Sequence, residues 1–212
     1  MNIILLGAPG SGKGTQANLL CEKNSFIQLS TGDLFRHHIT NKTPLGIEAQ
    51  KYTDQGFYVP DNITNGMVFE FLKLKNSNII FDGYPRTTDQ AQELNEMLKQ
   101  LHQKIDKVIY IDLDDSILVD RLSGRLVCEK CKRSYHKTLK PPKVAGICDY
   151  DNTKLVLRSD DTLNKIKTRL TVYQEQTKPP AFWFSYRENI WDSADKYIFC
   201  FRGISDFCLF LL

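Results

Sequence analysis

Behind the apolar run Asn2-Ile3-Ile4-Leu5-Leu6 the chain reads Gly7-Ala8-Pro9-Gly10-Ser11-Gly12-Lys13-Gly14-Thr15. A strand-length apolar segment running straight into a glycine-rich loop that ends in Gly-Lys constrains the possible folds more than any other stretch. Consecutive backbone N–H groups can wrap a polyphosphate only where glycine lets the chain turn them inward. The pattern is G-x-x-x-x-G-K-S/T, with Thr15 displaced one place by Gly14. In such a loop Lys13 reaches the β and γ phosphates, and the helical segment 16–23 turns its positive N-terminal end toward them. A ligand-free strand-to-helix turn is the bland alternative, but it does not require a lysine in this register.

With four further apolar runs at 26–29, 78–81, 107–113 and 196–201, the run at 3–6 makes five strands, several nearly continuous in Ile, Val, Leu and Phe. Such runs suit a parallel sheet covered on both faces. Helical stripes lie between them: Gln90, Leu94, Met97, Leu98 and Leu101 form one, and Ile117, Leu118, Arg121 and Leu122 another. Alternating strand and helix predicts an α/β fold, a doubly wound five-stranded parallel sheet of P-loop type. Ligands in such sheets bind at the carboxyl ends of the strands, where the glycine loop falls. Two segments break the rhythm. Residues 31–60 are polar and helical in pattern, punctuated by Pro44, Gly46 and Gly56; residues 124–161 have almost no periodicity. Both are expected to be small flaps on the site's rim, leaving 1–30, 61–123 and 162–212 as the core.

The 212 residues allow a substantial core plus insertions, and 42% hydrophobic with 25% charged residues is ordinary for a globular enzyme. A net charge of +3 does not by itself argue for nucleic acid. The first strand enters the loop directly, so no signal peptide is expected. The apolar tail 197–212 is interrupted by Arg202 and Asp206 and falls short of the roughly 20 residues that span a bilayer. A core strand and a final helix are expected there, with no membrane partner and a cytoplasmic location.

Arginines cluster where charge would be needed. Arg36, Arg86, Arg121, Arg125, Arg158 and Arg169 all fall in the flaps or near the carboxyl side of the predicted sheet. Arg86 closes Asp82-Gly83-Tyr84-Pro85-Arg86, directly after a strand, and Arg121 and Arg125 would share a face if their helix continued that far. Guanidinium groups fork onto phosphate oxygens as lysine cannot. Mg-ATP with a nucleoside monophosphate carries roughly −4, so a phosphoryl-transfer site needs several fixed cations. An anionic phosphate acceptor needs no general base, which agrees with the lack of a convincing His–Asp or Cys–His pair in the sequence. Asp82 and Asp33 are candidates to hold Mg2+ through water, with a helix cap as the alternative for Asp82.

Three of the six cysteines have metal spacing: Cys128-Glu-Lys-Cys131 and Cys148-Asp-Tyr-Asp151, sixteen residues apart. Three thiolates and a carboxylate suit a tetrahedral structural zinc, with His136 and Asp149 as rivals for the fourth place. All four positions filled would leave none for catalysis, so the metal's task would be to fold a flap too small for its own core. Cys21, Cys200 and Cys208 stand in apolar contexts and read as core cysteines.

Taken together, these motifs resemble the bacterial adenylate kinases of the long-lid, zinc-bearing type. The resemblance runs in unbroken order through residues 7–15, Ser30-Thr31-Gly32-Asp33, Arg36, Val59-Pro60-Asp61, Asp82 to Arg86, Gln90, Asp120-Arg121, Gly124-Arg125, the cysteine knuckles, Arg158-Ser159-Asp160-Asp161 and Arg169. It implies transfer of a phosphoryl group from Mg-ATP to AMP, giving two ADP. Gly10, Ser11, Gly12, Lys13, Gly14 and Thr15 would hold ATP, with Arg121 and Arg125 and with Ser134 and Tyr135 nearby. Thr31, Arg36, Phe57, Tyr58, Val59, Gly83, Tyr84, Pro85, Arg86 and Gln90 would bind AMP, with Thr31 and Gln90 near adenine. Arg158 and Arg169 would bridge the phosphates. Residues 31–60 would be the AMP-binding flap and 124–161 the lid, their closure excluding water. The family suggests a monomer. The chain departs from the pattern after Lys178, with Arg202-Gly203 in place of an Asp-Gly turn, and at Asn164-Lys165-Ile166 in place of Glu-Thr-Val.

Competing readings are weaker. Thr31 and the long lid argue against a pyrimidine monophosphate kinase, which resembles Ser-Ala-Gly-Asp at that place. A zinc-ribbon nucleic-acid binder would use Lys130, Lys132, Lys137, Lys140 and Lys143, yet only Tyr135 and Tyr150 supply aromatic faces there. An ATPase switch lacks a clear water-positioning residue.

Overall fold

The computed structural model describes residues 1–75, 78–178 and the backbone of 198–202. Its central sheet is built from β1 (Ile3–Gly7), β2 (Ile27–Ser30), β3 (Ile79–Asp82), β4 (Lys107–Asp112) and, last in the chain, β8 (Ile198–Arg202). Their order is β2-β3-β1-β4-β8 and every pairing is parallel. The α/β doubly wound sheet is therefore as the sequence predicts, with ends shifted by a residue or two. The expected final helix and Cys208 lie outside the described residues.

Alternation along β1 divides the core. Ile4 and Leu6 point into one cluster with Phe81, Tyr84, Leu94 and Leu98. Ile3 and Leu5 point into another with Ala17, Leu20, Ile80 and Ile109, partly covered by Cys21. Helix α1 (Lys13–Asn24) covers the second face, while α4 (Asp61–Lys73) and α5 (Thr88–Gln100) cover the first. The α5 stripe follows the 3.6-residue period, burying Gln90, Leu94, Met97 and Leu98. Thr87 caps that helix by accepting from the Gln90 amide at 3.1 Å.

The polar stretch after β2 forms two helices, α2 (Thr31–Thr40) and α3 (Pro44–Thr53), capped by Ser30 and Thr43. Pro44 at the start of α3 costs no hydrogen bond there. Helix α6 (Asp115–Ser123) stops before Arg125, at the C-cap Gly124. Arg121 and Arg125 therefore do not share a helix face: Arg125 opens β5 (Arg125–Cys128). That strand is the centre of a second, antiparallel sheet, between β6 (Ser134–His136) and β7 (Leu155–Leu157). Helix α7 (Leu163–Val172) follows and ends in a π-helical turn, Tyr173–Thr177.

Candidate active site

A cleft of about 1200 Å3 opens at the carboxyl end of the parallel sheet. The glycine loop forms its floor. Gly10 and Gly12 have φ of 85° and 103°, left-handed values that side-chain-bearing residues adopt at a cost, so glycine is what lets the loop turn here. Lys13 donates from Nζ to the carbonyls of Gly7 at 2.7 Å and Ala8 at 2.9 Å. Burial lowers its pKa to about 8, with Arg86, Arg169 and Arg125 pushing the same way against Asp82. Asp82, at the end of β3, is raised by burial and accepts from Gln28 Nε2 at 2.9 Å. It caps no helix. Ser11 Oγ is buried without a hydrogen-bond partner among the described residues.

All six arginines singled out in the sequence line this one cleft. They divide by partner. Arg125 forks onto Asp161 through Nε and Nη2, both at 2.7 Å, and Arg169 Nη1 reaches the same carboxylate at 2.9 Å. Arg158 forks onto Asp160 at 2.8 and 2.5 Å, and Arg169 and Arg36 approach that carboxylate at 3.5 and 3.7 Å. Arg36 also donates to Asp33 at 2.6 Å. Burial opposes the charge of Asp160, yet Arg158, Arg169 and Arg36 hold its carboxyl well below the usual range. Burial in turn lowers Arg169 to about 10, with Arg158 and Arg125 beside it. Arg86 and Arg121, by contrast, have no carboxylate within 4.0 Å among the described residues.

Of the other residues expected at a nucleotide, Gly14, Thr15, Asp33, Phe57, Tyr58, Val59, Gly83, Pro85, Ser134 and Tyr135 also border the cleft. Ser11, Thr31, Tyr84 and Gln90 are set behind its wall. Thr31 donates to the Gly83 carbonyl at 2.9 Å. Tyr84 is core, its hydroxyl donating to Asn65 at 2.8 Å. Gln90 accepts from the Arg86 amide at 2.8 Å and donates to Asp61 at 2.6 Å. The sequence reading did not give roles to Asp160 and Asp161, although two adjacent carboxylates behind Arg158 were the available signal.

In the small sheet the ligand atoms of Cys128, Cys131, Cys148 and Asp151 all lie within 4.8 Å of one another. Cys131 Sγ is 3.5 Å from Cys148 Sγ, and Cys128 Sγ is 3.3 Å from Asp151 Oδ2. This donor set fits a tetrahedral thiophilic ion. The rivals are otherwise engaged: His136 Nδ1 accepts from the amides of Thr138 and Leu139, and Asp149 Oδ1 from the amide of Lys143. Tyr135 stands beside the cluster, its hydroxyl 3.4 Å from Cys148 Sγ.

A phosphate loop with its lysine, sharing one cleft with converging arginines at the carboxyl end of a doubly wound parallel sheet, defines a P-loop phosphotransferase. Among known proteins, the family model described as adenylate kinase matches residues 5–188. An adenylate kinase of Mycoplasma mycoides subsp. mycoides is 54% identical over 184 residues, covering 87% of this chain and 86% of the relative. That of Acholeplasma laidlawii is 46% identical over 192 residues, covering 90% and 88%. That of Clostridium novyi is 42% identical over 192 residues, covering 90% and 89%. The chain belongs to the adenylate kinase family.

Proposed function

We propose that this chain, a nucleoside monophosphate kinase, moves the terminal phosphoryl group of Mg-ATP to AMP and back, giving two ADP, and that its cleft divides the labour as follows. The observation that carries this reading is the convergence of Lys13 and six arginines on one cleft beside the loop. ATP phosphates would lie in the loop over residues 10–15, where Lys13 exchanges the carbonyls of Gly7 and Ala8 for phosphate oxygens. Arg121 and Arg125 would stand on the ATP side near Ser134 and Tyr135. The AMP phosphate would take Arg36 and Arg86, beside Phe57, Tyr58, Val59, Gly83 and Pro85; Thr31, Tyr84 and Gln90 would shape that wall from behind. Arg158 and Arg169 would bridge the two phosphate chains.

No proton needs to be removed from the acceptor, since a phosphate oxygen is already anionic. The protein's contribution is alignment and charge neutralisation as the phosphoryl group passes in line. The Asp160 and Asp161 carboxylates support this role: they hold four arginines in place beforehand, so little reorganisation remains when phosphates arrive. Adenylate kinases use Mg2+ with ATP, where it neutralises phosphate charge; Asp82 and Asp33 would hold it through water. Residues 31–60 would serve as the AMP-binding flap and residues 124–161 as a lid, the remainder being the core, and closure of both would keep water from the phosphoryl group. Zinc is the ion we assign to Cys128, Cys131, Cys148 and Asp151, in a structural role because four protein ligands leave no place for substrate. We further propose a cytoplasmic monomer serving adenine nucleotide balance and AMP salvage. No helix among the described residues is long and apolar enough to cross a membrane.

The test is ADP formation from Mg-ATP with AMP, GMP, CMP or UMP, beside a control without acceptor. Fast production with AMP alone is expected. Preference for another monophosphate would overturn the base assignment, and equal ADP release without acceptor would overturn the transferase reading.

A further inference from the structure

Four of the cleft's arginines are oriented by carboxylates; Arg86 is oriented differently. Its Nε donates to the Gly83 carbonyl at 2.7 Å, and its guanidinium carbon lies 4.6 Å from the centroid of the Tyr58 ring. A cation within about 6 Å of an aromatic centroid is attracted by the ring's quadrupole. The ring carries no opposite charge, so the positive charge is not cancelled, and the two terminal nitrogens have no hydrogen-bond partner among the described residues. A carboxylate partner, as at Arg125 and Arg158, also fixes a guanidinium, but it takes one edge of the donor set and offsets part of the charge that attracts phosphate.

The ring is itself fixed. Tyr58 follows the α2–α3 segment, and its hydroxyl shares a hydrogen bond of 2.9 Å with Thr177 Oγ1. Thr177 is buried and closes the π-helical turn at the end of α7, the helix that carries Arg169. Single π turns are frequent at functional sites, and here the turn presents a hydroxyl toward the cleft.

We infer that Tyr58 is a positioning residue for Arg86, holding its guanidinium against a ring pinned to Thr177, so that its terminal nitrogens meet the acceptor phosphate with their charge intact. This rests on the adenylate kinase reading and assigns Tyr58 a task performed through Arg86. Because the same phosphate contact exists before and during transfer, its weakening lowers AMP affinity more than turnover.

The experiment compares Tyr58→Leu and Tyr58→Phe with the unmodified chain. Tyr58→Leu removes the ring face and raises KM for AMP about fivefold, the size of a partly exposed cation–π contact. The KM for ATP and kcat stay near their original values. Tyr58→Phe keeps the ring and restores KM for AMP to within about twofold. Calorimetric titration with AMP alone, well below each variant's Tm, makes the result independent of any lost stability. An unchanged AMP affinity in Tyr58→Leu, or equal rises in KM for both nucleotides, overturns the inference. Failure of the unmodified chain to form ADP from ATP and AMP overturns the underlying reading instead.

Discussion

The five-stranded parallel sheet buries an apolar cluster on each face, whereas the three-stranded sheet has Cys128, Tyr135, Cys148 and Leu155 as its buried cluster, with Leu126 and Cys131 packed against it. Half of those six side chains are the cysteines of the candidate metal site. Both sheets border the same cleft, yet the larger is held by apolar burial on both faces, while the smaller gathers four potential metal ligands in place of a larger core. A segment of some 35 residues excludes little water on its own, and a metal bound at the four ligands would supply what area does not. The difference also divides the chemistry. The loop and Lys13 sit on the rigid sheet, while Arg125 enters the site on the first strand of the small one.

The largest expected effect breaks the small sheet alone. Freshly purified protein should carry one ion per chain, and chelation or Cys148→Ser should split thermal unfolding into two transitions. The lower one, from the small sheet, should fall by roughly 10 °C or more, as several kcal/mol implies for a chain of this size. Phosphoryl transfer at low temperature should be affected less. A single transition indifferent to the chelator would mean the two sheets are not held by different forces.

On the other side of the comparison, Lys13→Ala should reduce transfer by about 10³-fold, the scale of a lost charge-stabilising donor, without lowering Tm. Stability should not suffer because the folded protein disfavours this charge. With its pKa lowered to about 8, Lys13 binds fewer protons in the folded state than in the unfolded one between pH 8 and its ordinary 10.5. Its contribution to stability therefore rises with pH across that window. Nucleotide phosphates should restore the charge, so ATP binding just above pH 8 takes up a proton and weakens as pH increases. Calorimetry in two buffers of different ionisation enthalpy measures that uptake, and its persistence in Lys13→Ala would assign it to another group.

Much of this was readable from residue types at fixed spacing. The strand-loop-lysine order, five apolar runs and two cysteine knuckles each encode a local geometry, and the sheet and the four-ligand cluster stand where those patterns put them. What the sequence concealed depends on side chains meeting from distant segments. Nothing local ties Arg36 to Asp160 or Tyr58 to Thr177. Tyr84 and Gln90 are read as site residues from their motifs, but nothing local tells that one packs into the core and the other braces the Arg86 backbone. The supposed shared face of Arg121 and Arg125 failed because Gly124 ends the helix between them.

The smallest expected effect concerns an ion pair that joins α1, on the large sheet, to the cysteine knuckles. Arg133 donates from Nη2 to Glu22 Oε1, and its guanidinium lies 3.4 Å from the centroid of the Tyr150 ring. Arg133 follows the first knuckle and Tyr150 lies within the second, so an ion bound by the knuckles would fix both sides of that stack. The pair itself is weak: the side chains are 26% and 44% exposed, and pairs in such settings contribute about 0–1 kcal/mol. Glu22→Gln should therefore shift the Tm of the small sheet by less than about 3 °C, and added salt should produce no more in the unmodified chain. If Glu22→Gln lowered that transition as far as chelation does, the small sheet would owe its stability to the large one. Metal and ion pair would then be two parts of one support, and the division between burial and cross-linking would no longer follow the boundary between the sheets.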